Sequence, residues 1–207
     1  LFSVLTVFAK GQGLAAYSDY RNYFNVFDGG MFQQLEYLPV KSFKVGGAAI
    51  PYVDNTNEFQ IYYKGRKYHQ TYASGLSYGA SDYLVAFKVG NVLSVFEKGV
   101  RKNVTYYCSQ YYLDDSLVLY LDDSNYNLSI YYNGDTTELE SSMLELPRAI
   151  KTGSNVVAYV NQSDYFRIFY HGELWDIDNT APTSFQAGRD VVAYVDGYNH
   201  YFQLYYK

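Results

Sequence analysis

Cysteine and positive charge are both scarce in this chain of 207 residues. Its one cysteine, Cys108, cannot form an intramolecular disulfide and has no second cysteine with which to build a zinc site. We therefore expect it to be a small buried apolar residue. The 16 lysines and arginines are outnumbered by 21 aspartates and glutamates, for a formal net charge of −5. Since nucleic-acid binding depends on clustered cations, nucleic acid is not expected as a partner.

Long apolar runs and catalytic motifs are also lacking. No segment approaches the roughly 20 uninterrupted apolar residues of a transmembrane helix, so no membrane span is predicted. Residues 1–9 are apolar and can be interpreted as a strand or as the remnant of a secretory signal; the strand is favoured because Phe8 belongs to a repeat. No serine-hydrolase elbow or phosphate-binding glycine loop is found, so no catalytic residue is assigned and a non-enzymatic protein is favoured.

Aromatic residues, by contrast, are abundant, with 27 tyrosines and 13 phenylalanines against one tryptophan. Such residues are enriched in strands and bring large areas to a core. The chain is 48% hydrophobic and long enough for one sizeable core, so a single domain over residues 1–207 is predicted. Composition alone therefore favours an all-β fold.

One spacing recurs six times along the chain. An aromatic residue or isoleucine is followed three positions later by a small or polar residue, and six positions after that by an aromatic residue. The six triplets are Phe8/Gly11/Tyr17, Phe43/Gly46/Tyr52, Tyr78/Ser81/Phe87, Tyr111/Asp114/Tyr120, Ile150/Gly153/Tyr159 and Phe185/Gly188/Tyr194. A period of about 35 residues indicates a repeat architecture, with repeats that start near residues 8, 43, 78, 111, 150 and 185.

Each repeat has the pattern of a small antiparallel sheet. An apolar run such as 155–160 is followed by a polar turn, then by a run of alternating apolar residues such as 165–170 that a glycine closes, and then by a third run. With the short stretch around the first aromatic residue, four strands are predicted per repeat. Four-stranded units repeated radially are typical of a β-propeller; the competing β-solenoid is disfavoured by the recurrent hairpin turns.

The last repeat is incomplete, because the chain stops at Lys207 where a fourth strand is expected. Residues 1–7 could supply a short closing strand. Two interpretations therefore stay open: a closed ring of about six blades, or a chain that forms part of a larger propeller.

Two pairs of segments resemble a known family of repeats. They are Val156–Val160 with Tyr165–Phe169, and Val191–Asp196 with Tyr201–Tyr205. Both are similar to the TolB-type propeller repeat, and more broadly to WD40-like repeats: a hydrophobic strand, a polar turn and a strand that ends in aromatic residues. The resemblance implies a propeller from a group that includes envelope scaffolds, peptidase-associated domains and binding modules.

Carboxylates recur two positions after the last aromatic residue of a triplet. That position is occupied by Asp19, Asp54, Val89, Asp122, Asn161 and Asp196. If it begins the turn between the second and third strands, its carboxylates form a negative rim that can bind a cation or a basic surface. The alternative is that these side chains make local turn hydrogen bonds. We retain Asp19, Asp54, Asp122, Asp123 and Asp196 as candidate binding residues.

The fourth repeat departs from the others in its acidic residues. It carries Asp114-Asp115 and Asp122-Asp123, and glutamates follow at 138, 140 and 145. Such a cluster could bind Ca²⁺ through oxygen ligands, although its spacing matches no EF-hand loop. No resident cofactor is predicted, and Ca²⁺ is kept as the alternative.

Tyrosines exceed what six blade cores need, so some are expected at a recognition surface, with Tyr112 and Tyr198 as candidate binding residues. The favoured function is a non-enzymatic scaffold that binds a protein partner, in a bacterial cell-envelope or secreted assembly. The alternative is a carbohydrate-binding or carbohydrate-active propeller. The expected location is periplasmic, outer-surface or secreted.

Overall fold

The computed structural model describes residues 8–9 and 13–206, and over that part of the chain it contains 23 strands and no helix. All strand pairs are antiparallel, which confirms the all-β prediction. The described residues include no helix able to cross a membrane. The predicted closing strand at residues 1–7 lies outside the described residues.

Six sheets follow one another in chain order, five with four strands and one with three. Sheet 1 contains β1 (Phe8–Ala9), β2 (Leu14–Ser18), β3 (Phe24–Asp28) and β4 (Met31–Glu36). Sheet 2 contains β5 (Ser42–Phe43), β6 (Ala49–Val53), β7 (Glu58–Tyr63) and β8 (Arg66–Tyr72). Sheet 3 contains β9 (Leu76–Ala80), β10 (Leu84–Val89), β11 (Val92–Glu97) and β12 (Val100–Thr105). Sheet 4 contains β13 (Cys108–Asp114), β14 (Leu117–Asp122), β15 (Asn127–Tyr132) and β16 (Asp135–Glu140). Sheet 5 contains β17 (Ile150–Gly153), β18 (Val156–Val160), β19 (Phe166–Tyr170) and β20 (Glu173–Asp178). Sheet 6 contains β21 (Ser184–Gly188), β22 (Val191–Val195) and β23 (Phe202–Tyr206).

The chain divides into two compact units, Leu1–Tyr106 and Tyr107–Lys207. Sheets 1 to 3 belong to the first unit and sheets 4 to 6 to the second. A single propeller domain over residues 1–207 stays a prediction. The four-stranded repeats and the three-stranded last repeat are confirmed.

The closing glycines of the repeats form the turn between the third and fourth strands. In sheet 2 this two-residue turn is Lys64-Gly65, with φ of 46° and 77°. Two consecutive residues with positive φ are typical of a type I′ turn, which suits the right-handed twist of a hairpin. Gly99, Gly134 and Gly172 occupy the same place in sheets 3, 4 and 5. The periodic glycine is therefore a requirement of the backbone.

In sheets 2, 3 and 6, the aromatic members of the triplet pack on the sheet before them. Phe24 of sheet 1 lies 5.1 Å, between ring centroids, from both Phe43 and Tyr52 of sheet 2. In the second unit, Phe166 of sheet 5 lies 5.0 Å from both Phe185 and Tyr194 of sheet 6. Aromatic pairs at this separation add to the energy of area burial alone. The repeated spacing thus encodes contacts between neighbouring sheets. Cys108 is buried, as predicted.

At Gly46 and Gly153, the small member of the triplet is explained by the close approach of the backbone of the following sheet. A Cβ atom at Gly46 would overlap the carbonyl oxygen of Ser81, and one at Gly153 would overlap the carbonyl oxygen of Gly188. Asp114 is an exception at this position. Its carboxylate accepts hydrogen bonds from the Thr152 hydroxyl of the following sheet and from the backbone N–H of Asp115.

Candidate functional site

Each sheet has two distinct ends. The tyrosine end of a sheet is the end that carries the loop between its second and third strands. The chain segment that leaves the fourth strand lies at the same end. The opposite end, which carries the type I′ turns, is the glycine end. Antiparallel pairing places these connections together, because the second strand finishes where the third begins and the fourth finishes.

Most of the strongly exposed tyrosines lie at the tyrosine ends. In the first unit they are Tyr20, Tyr37, Tyr72 and Tyr106, and in the second unit Tyr107, Tyr126, Tyr165, Tyr198 and Tyr201. Tyr83, at the glycine end of sheet 3, is an exception, as are Tyr112 and Tyr206 within strands. The surplus of tyrosines expected from the sequence is therefore real and is concentrated at one end of the sheets.

The predicted tyrosine sites differ in their placement. Tyr198 is 88% exposed and lies in the loop between β22 and β23, at the tyrosine end. Tyr112 is 40% exposed and lies within β13. The structure does not place Tyr112 at the end where most exposed tyrosines lie.

The recurrent carboxylates occupy the predicted loops and cap them. The Oδ1 atom of Asp54 accepts hydrogen bonds at 2.9 Å from the backbone N–H groups of Thr56 and Glu58. In sheet 6, Oδ1 of Asp196 accepts from the N–H groups of Tyr198 and Asn199 at 2.8 and 3.0 Å. Asp54 and Asp196 are both buried. For these two residues, the geometry favours the local turn interpretation.

Asp122 of sheet 4 caps its loop in the same way, whereas Asp123 bonds to the neighbouring first strand. Asp122 accepts from the backbone and the hydroxyl of Ser124, and Asp123 accepts from the Ser109 hydroxyl at 2.6 Å. Sheet 3 has Val89 at this position because its second and third strands meet in a two-residue turn, in which Val89 pairs with Val92. A turn this short has no loop for an aspartate to cap.

The fourth repeat does not gather its carboxylates into one cluster. Asp114 ends the first strand at the glycine end, whereas Asp122 ends the second strand at the tyrosine end. Within the described part of the chain, no group of three or more His, Cys, Asp and Glu side chains is placed to hold a metal ion. A calcium site stays a prediction from the sequence.

Sheet 1 carries a compact cluster of tyrosines around an arginine, which we call the Arg21 cluster: Asp19, Tyr20, Arg21, Tyr23 and Tyr37. The Arg21 guanidinium lies 4.5 Å from the Tyr23 ring centroid and 5.3 Å from that of Tyr20. Tyr37 packs edge-on against Tyr23 at 5.7 Å. Asp19 holds the guanidinium at 3.2 Å. An arginine fixed between tyrosines in this way suits an interface, where Tyr and Arg dominate binding energy.

The Asp19 carboxylate is also held by its own loop. Its Oδ1 atom accepts hydrogen bonds from the backbone N–H groups of Arg21 and Tyr23 at 2.9 and 3.0 Å. Partial desolvation opposes ionisation, but these bonds and the Arg21 side chain outweigh it and lower the pKa of Asp19 below its ordinary value. The carboxylate stays charged at neutral pH and keeps Arg21 over the rings.

The second unit has a groove of about 790 Å³ at the tyrosine ends of sheets 5 and 6. One wall comes from the long connection between β16 and β17, the other from the connection between β20 and β21. Apolar side chains line much of it: Met143, Leu146, Pro147, Val160, Pro182 and Phe185. Arg148, Lys151, Glu145 and Asp164 add charges of both signs. Tyr165, beside it in sequence, is partly exposed.

A smaller acidic cleft of about 380 Å³ lies between the fourth strand of sheet 5 and sheet 6. Asp176, Asp178 and Asp196 line it together with Tyr194 and Gln203. Asp196 uses both of its oxygens on Asn199, whose backbone and side-chain nitrogens donate at 3.0 and 3.1 Å. Sequence reasoning missed this cleft, the groove and the Arg21 cluster. For the Arg21 cluster, the sequence offered one signal, the Tyr20-Arg21 pair directly after the recurrent aspartate Asp19.

The geometry agrees with the comparison to known families, in which the profile of the 10-bladed beta propeller domain matches residues 8–207. The chain belongs to this family. The predicted relationship to propeller repeat proteins is thereby confirmed. The family's description gives ten blades, whereas the described residues of this 10-bladed beta propeller member form six sheets. A ring of six blades and a part of a larger propeller both stay predictions.

Solved structures similar to this propeller domain have low sequence identity. Prp20p from Saccharomyces cerevisiae is 7% identical, with 91% of this chain and 69% of that chain covered and a TM-score of 0.49. Hsv2p from Kluyveromyces lactis is 13% identical, with 96% and 72% covered and a TM-score of 0.48. The CRINKLY WD40 ectodomain of ACR4 from Arabidopsis thaliana is 10% identical, with 99% and 82% covered and a TM-score of 0.45. A search of curated protein sequences gives no significant match.

Proposed function

We propose that this propeller domain is a non-enzymatic scaffold that binds a protein partner through its tyrosine ends. The observation that supports this most directly is the concentration of exposed tyrosines at one end of the sheets. Tyrosine contributes a large contact area with little loss of side-chain entropy and keeps a hydroxyl for hydrogen bonds. A surface of this composition suits protein recognition.

The Arg21 cluster supports a protein partner in the first unit. Arg21 is half exposed and is already positioned by Asp19 and two tyrosine rings. Little side-chain entropy is therefore lost when a partner contacts it, and preorganisation of this kind increases affinity. A partner that offers a carboxylate to Arg21 and apolar side chains to Tyr20 and Tyr37 would fit.

The groove of the second unit supports an extended polypeptide as the element that binds there. Its lining combines apolar side chains with about as many polar ones, among them Arg148, Lys151 and Glu145, which carry charges of both signs. Ligand sites of this kind combine apolar walls with a few polar groups that fix orientation.

Photo-crosslinking tests the choice of surface. A crosslinking amino acid replaces Tyr20 at the tyrosine end or Tyr83 at the glycine end, and both proteins are exposed to native extract. We expect a specific crosslinked protein from position 20 and not from position 83. The combined change Tyr20→Ser and Tyr37→Ser should reduce capture of the partner protein at least tenfold relative to the wild type, whereas Tyr83→Ser should leave it unchanged. Equal crosslinking from both positions would contradict the proposal.

A glycan array separates the protein partner from the carbohydrate alternative. Binding to sugars without any protein partner would replace the proposed function by a lectin-like one. Loss of sugar binding in the Tyr20→Ser and Tyr37→Ser protein would then assign that activity to the same end.

We also infer a bacterial cell-envelope or secreted assembly, with the protein in the periplasm, on the outer surface or outside the cell. Support comes only from the tyrosine-rich composition and the TolB-like repeat. Cell fractionation tests this location, since intact protein recovered mainly from the cytoplasm would overturn it.

A further inference from the structure

The charges of the chain are divided unevenly between its two units. The first unit, Leu1–Tyr106, has 11 lysines and arginines against seven aspartates and glutamates, whereas the second unit, Tyr107–Lys207, has five against 14. The formal net charge of −5 is therefore +4 on the first unit and −9 on the second. A modest overall charge thus conceals one basic unit and one strongly acidic unit.

In the first unit, four cations gather where the glycine ends of sheets 2 and 3 meet. A Cβ atom on Gly99 of sheet 3 would lie 3.5 Å from the Tyr63 ring and from the Tyr68 hydroxyl of sheet 2. Both tyrosines pack edge-on against Phe96 of β11, at 5.8 and 5.1 Å between ring centroids. The cations beside this contact are Lys64, Arg66, Lys98 and Arg101, and we call them the basic edge.

The register of the strands places these side chains beside the contact. Arg66 pairs with Tyr63 across β7 and β8, and Arg101 pairs with Phe96 across β11 and β12. The two lysines occupy the first positions of the type I′ turns that open β8 and β12. All four residues of the basic edge are exposed.

Carboxylates of the chain neutralise little of the basic edge. Lys98 contacts Glu97 at 3.1 Å. Among the described residues, no carboxylate forms an ion pair with the other three cations. Arg101 instead donates to the carbonyl oxygen of Gln70 at 2.9 Å, which holds its side chain across the two sheets. Three positioned cations are thus open to the carboxylates of a ligand.

The second unit carries different residues at the equivalent places. Asn133 and His171 stand where sheet 2 has Lys64, and Asp135 and Glu173 stand where it has Arg66. Charged residues protect the edge strand of a sheet from unwanted pairing, and the acidic residues of the second unit do this as well as cations. Protection alone therefore does not require a basic edge. A cluster of one sign indicates a partner of the opposite sign.

The fold favours a polypeptide as that partner. β8 and β12 are the last strands of complete four-stranded sheets, so their outer edges present backbone N–H and C=O groups. A polypeptide can form hydrogen bonds with such an edge, which a nucleic acid cannot do with a peptide backbone of its own. The charge of −9 on the second unit also disfavours a long polyanion, because repulsion grows with the number of ligand charges.

We propose that the basic edge binds an acidic segment of a partner protein, whose carboxylates contact Lys64, Arg66 and Arg101. This site lies at the glycine ends and uses none of the tyrosine ends, so it and the proposed function can fail separately. Tyr83 lies in the turn between β9 and β10, at the opposite edge of sheet 3. A crosslinker at that position therefore does not sample the basic edge.

Binding of a labelled acidic peptide to the full chain tests this site. The probe is a ten-residue peptide in which glutamate alternates with serine, because alternate side chains of an extended chain face the same side. The double variant Lys64→Asn and Arg66→Asp introduces the residues that sheet 4 carries at these places. The matched control, Lys41→Asn and Lys44→Asp, changes the charge by the same amount at the opposite edge of sheet 2. Circular dichroism checks that each protein keeps its strands.

Fluorescence anisotropy at low ionic strength should show equal affinity for the wild type and the control. The double variant should bind roughly tenfold more weakly or worse, because Arg66→Asp places a carboxylate against those of the peptide. Added salt should weaken binding to the wild type, since the contact is between exposed charges. A wild type that does not bind the peptide, or a control as impaired as the double variant, would overturn the proposal.

Crosslinking and a competing polyanion locate and identify the ligand. Val100 is 66% exposed and lies between Lys98 and Arg101 in sequence, so a crosslinking amino acid at this position should capture the peptide. The same amino acid at Leu144, an exposed residue of the second unit, should not. Capture at position 144 alone would place the peptide elsewhere and overturn the proposal. Tighter binding of an oligothymidylate of equal charge would also overturn it, in favour of a nucleic acid.

Discussion

Sheets 5 and 6 contain the same five residues in their second strands, Val156–Val160 and Val191–Val195, yet they have different surroundings. Ala158 is fully buried, whereas Ala193 is half-buried. Both segments form the same antiparallel hairpin with the third strand. The comparison teaches that the local sequence specifies the hairpin and its two faces, while burial depends on the sheet that covers them.

The polar contacts differ in the same way. In sheet 5, the Tyr159 hydroxyl donates to Glu140 of the preceding sheet at 2.9 Å, and Arg167 donates to the same carboxylate at 2.8 Å. Sheet 6 has Tyr194 and Gln203 at these positions, and the preceding sheet has Asp178. The side chain of aspartate is one methylene shorter than that of glutamate. The acidic cleft beside Tyr194 lies where the Glu140 network lies one sheet earlier.

The largest contrast is expected from truncation of the third-strand phenylalanines. Phe166→Ala should lower the free energy of unfolding by roughly 3–5 kcal/mol, because it leaves a cavity in a packed core. Phe202→Ala should cost less than about 1 kcal/mol in the monomer, because the ring is largely exposed. Denaturant unfolding at low protein concentration measures both. Equal losses would mean that the Phe202 ring is buried in solution.

The paired glycines of the first strands should give the next largest contrast. A Cβ atom at Gly153 overlaps the Gly188 carbonyl oxygen, so Gly153→Ala should cost roughly 1–3 kcal/mol through forced backbone movement. At Gly188 a Cβ atom meets only a Val191 methyl group at 3.3 Å, so Gly188→Ala should cost well under about 1 kcal/mol. Thermal and denaturant unfolding of the two variants provide the comparison. A Gly188→Ala protein as unstable as Gly153→Ala would show that another sheet approaches sheet 6 equally closely.

Removal of a tyrosine hydroxyl should give a smaller difference in unfolding free energy between a variant in sheet 5 and one in sheet 6. Burial and the neighbouring Glu140 raise the pKa of Tyr159 above its ordinary value, so its hydroxyl stays a donor at high pH. Tyr159→Phe should cost roughly 1–1.5 kcal/mol, because a buried hydrogen bond is lost while Glu140 keeps its hydrogen bond from Arg167. Tyr194 donates only to Gln203, at 3.4 Å, so Tyr194→Phe should cost about 0.5 kcal/mol or less. The difference in unfolding free energy between these two conservative variants is the decisive quantity.

The smallest contrast concerns pH and the loop caps, Asn161 in sheet 5 and Asp196 in sheet 6. Hydrogen bonds from the backbone of Asn199 and Tyr198 lower the pKa of Asp196 below its ordinary value of 3.8. A lowered folded-state pKa adds stability above the unfolded-state pKa, and this contribution is lost as the pH falls through the folded-state value. Asp196→Asn should therefore unfold with a weaker dependence on acid than the wild type. Parallel acid-unfolding curves for the two proteins would contradict this assignment.

Much of the fold could be predicted from the sequence, because its determinants are local or periodic. The strand pattern, the turn glycines and the capping aspartates all act within one hairpin, as at Asp54 and Lys64-Gly65. The candidate site was predicted less well. The sequence indicated surface tyrosines, but the packing of Tyr37 on Tyr23 and the groove beside Pro182 depend on contacts between separate segments.

The sequence by itself determined the all-β repeat, the length of its period and the residues that face a neighbouring sheet, since alternation along a strand fixes the two faces. Only the tertiary structure decided which of those faces are covered. Phe166 and Phe202 follow the same pattern, and one is buried while the other is exposed. The physical reason is that burial belongs to a pair of surfaces, and the second surface of the pair lies in another sheet.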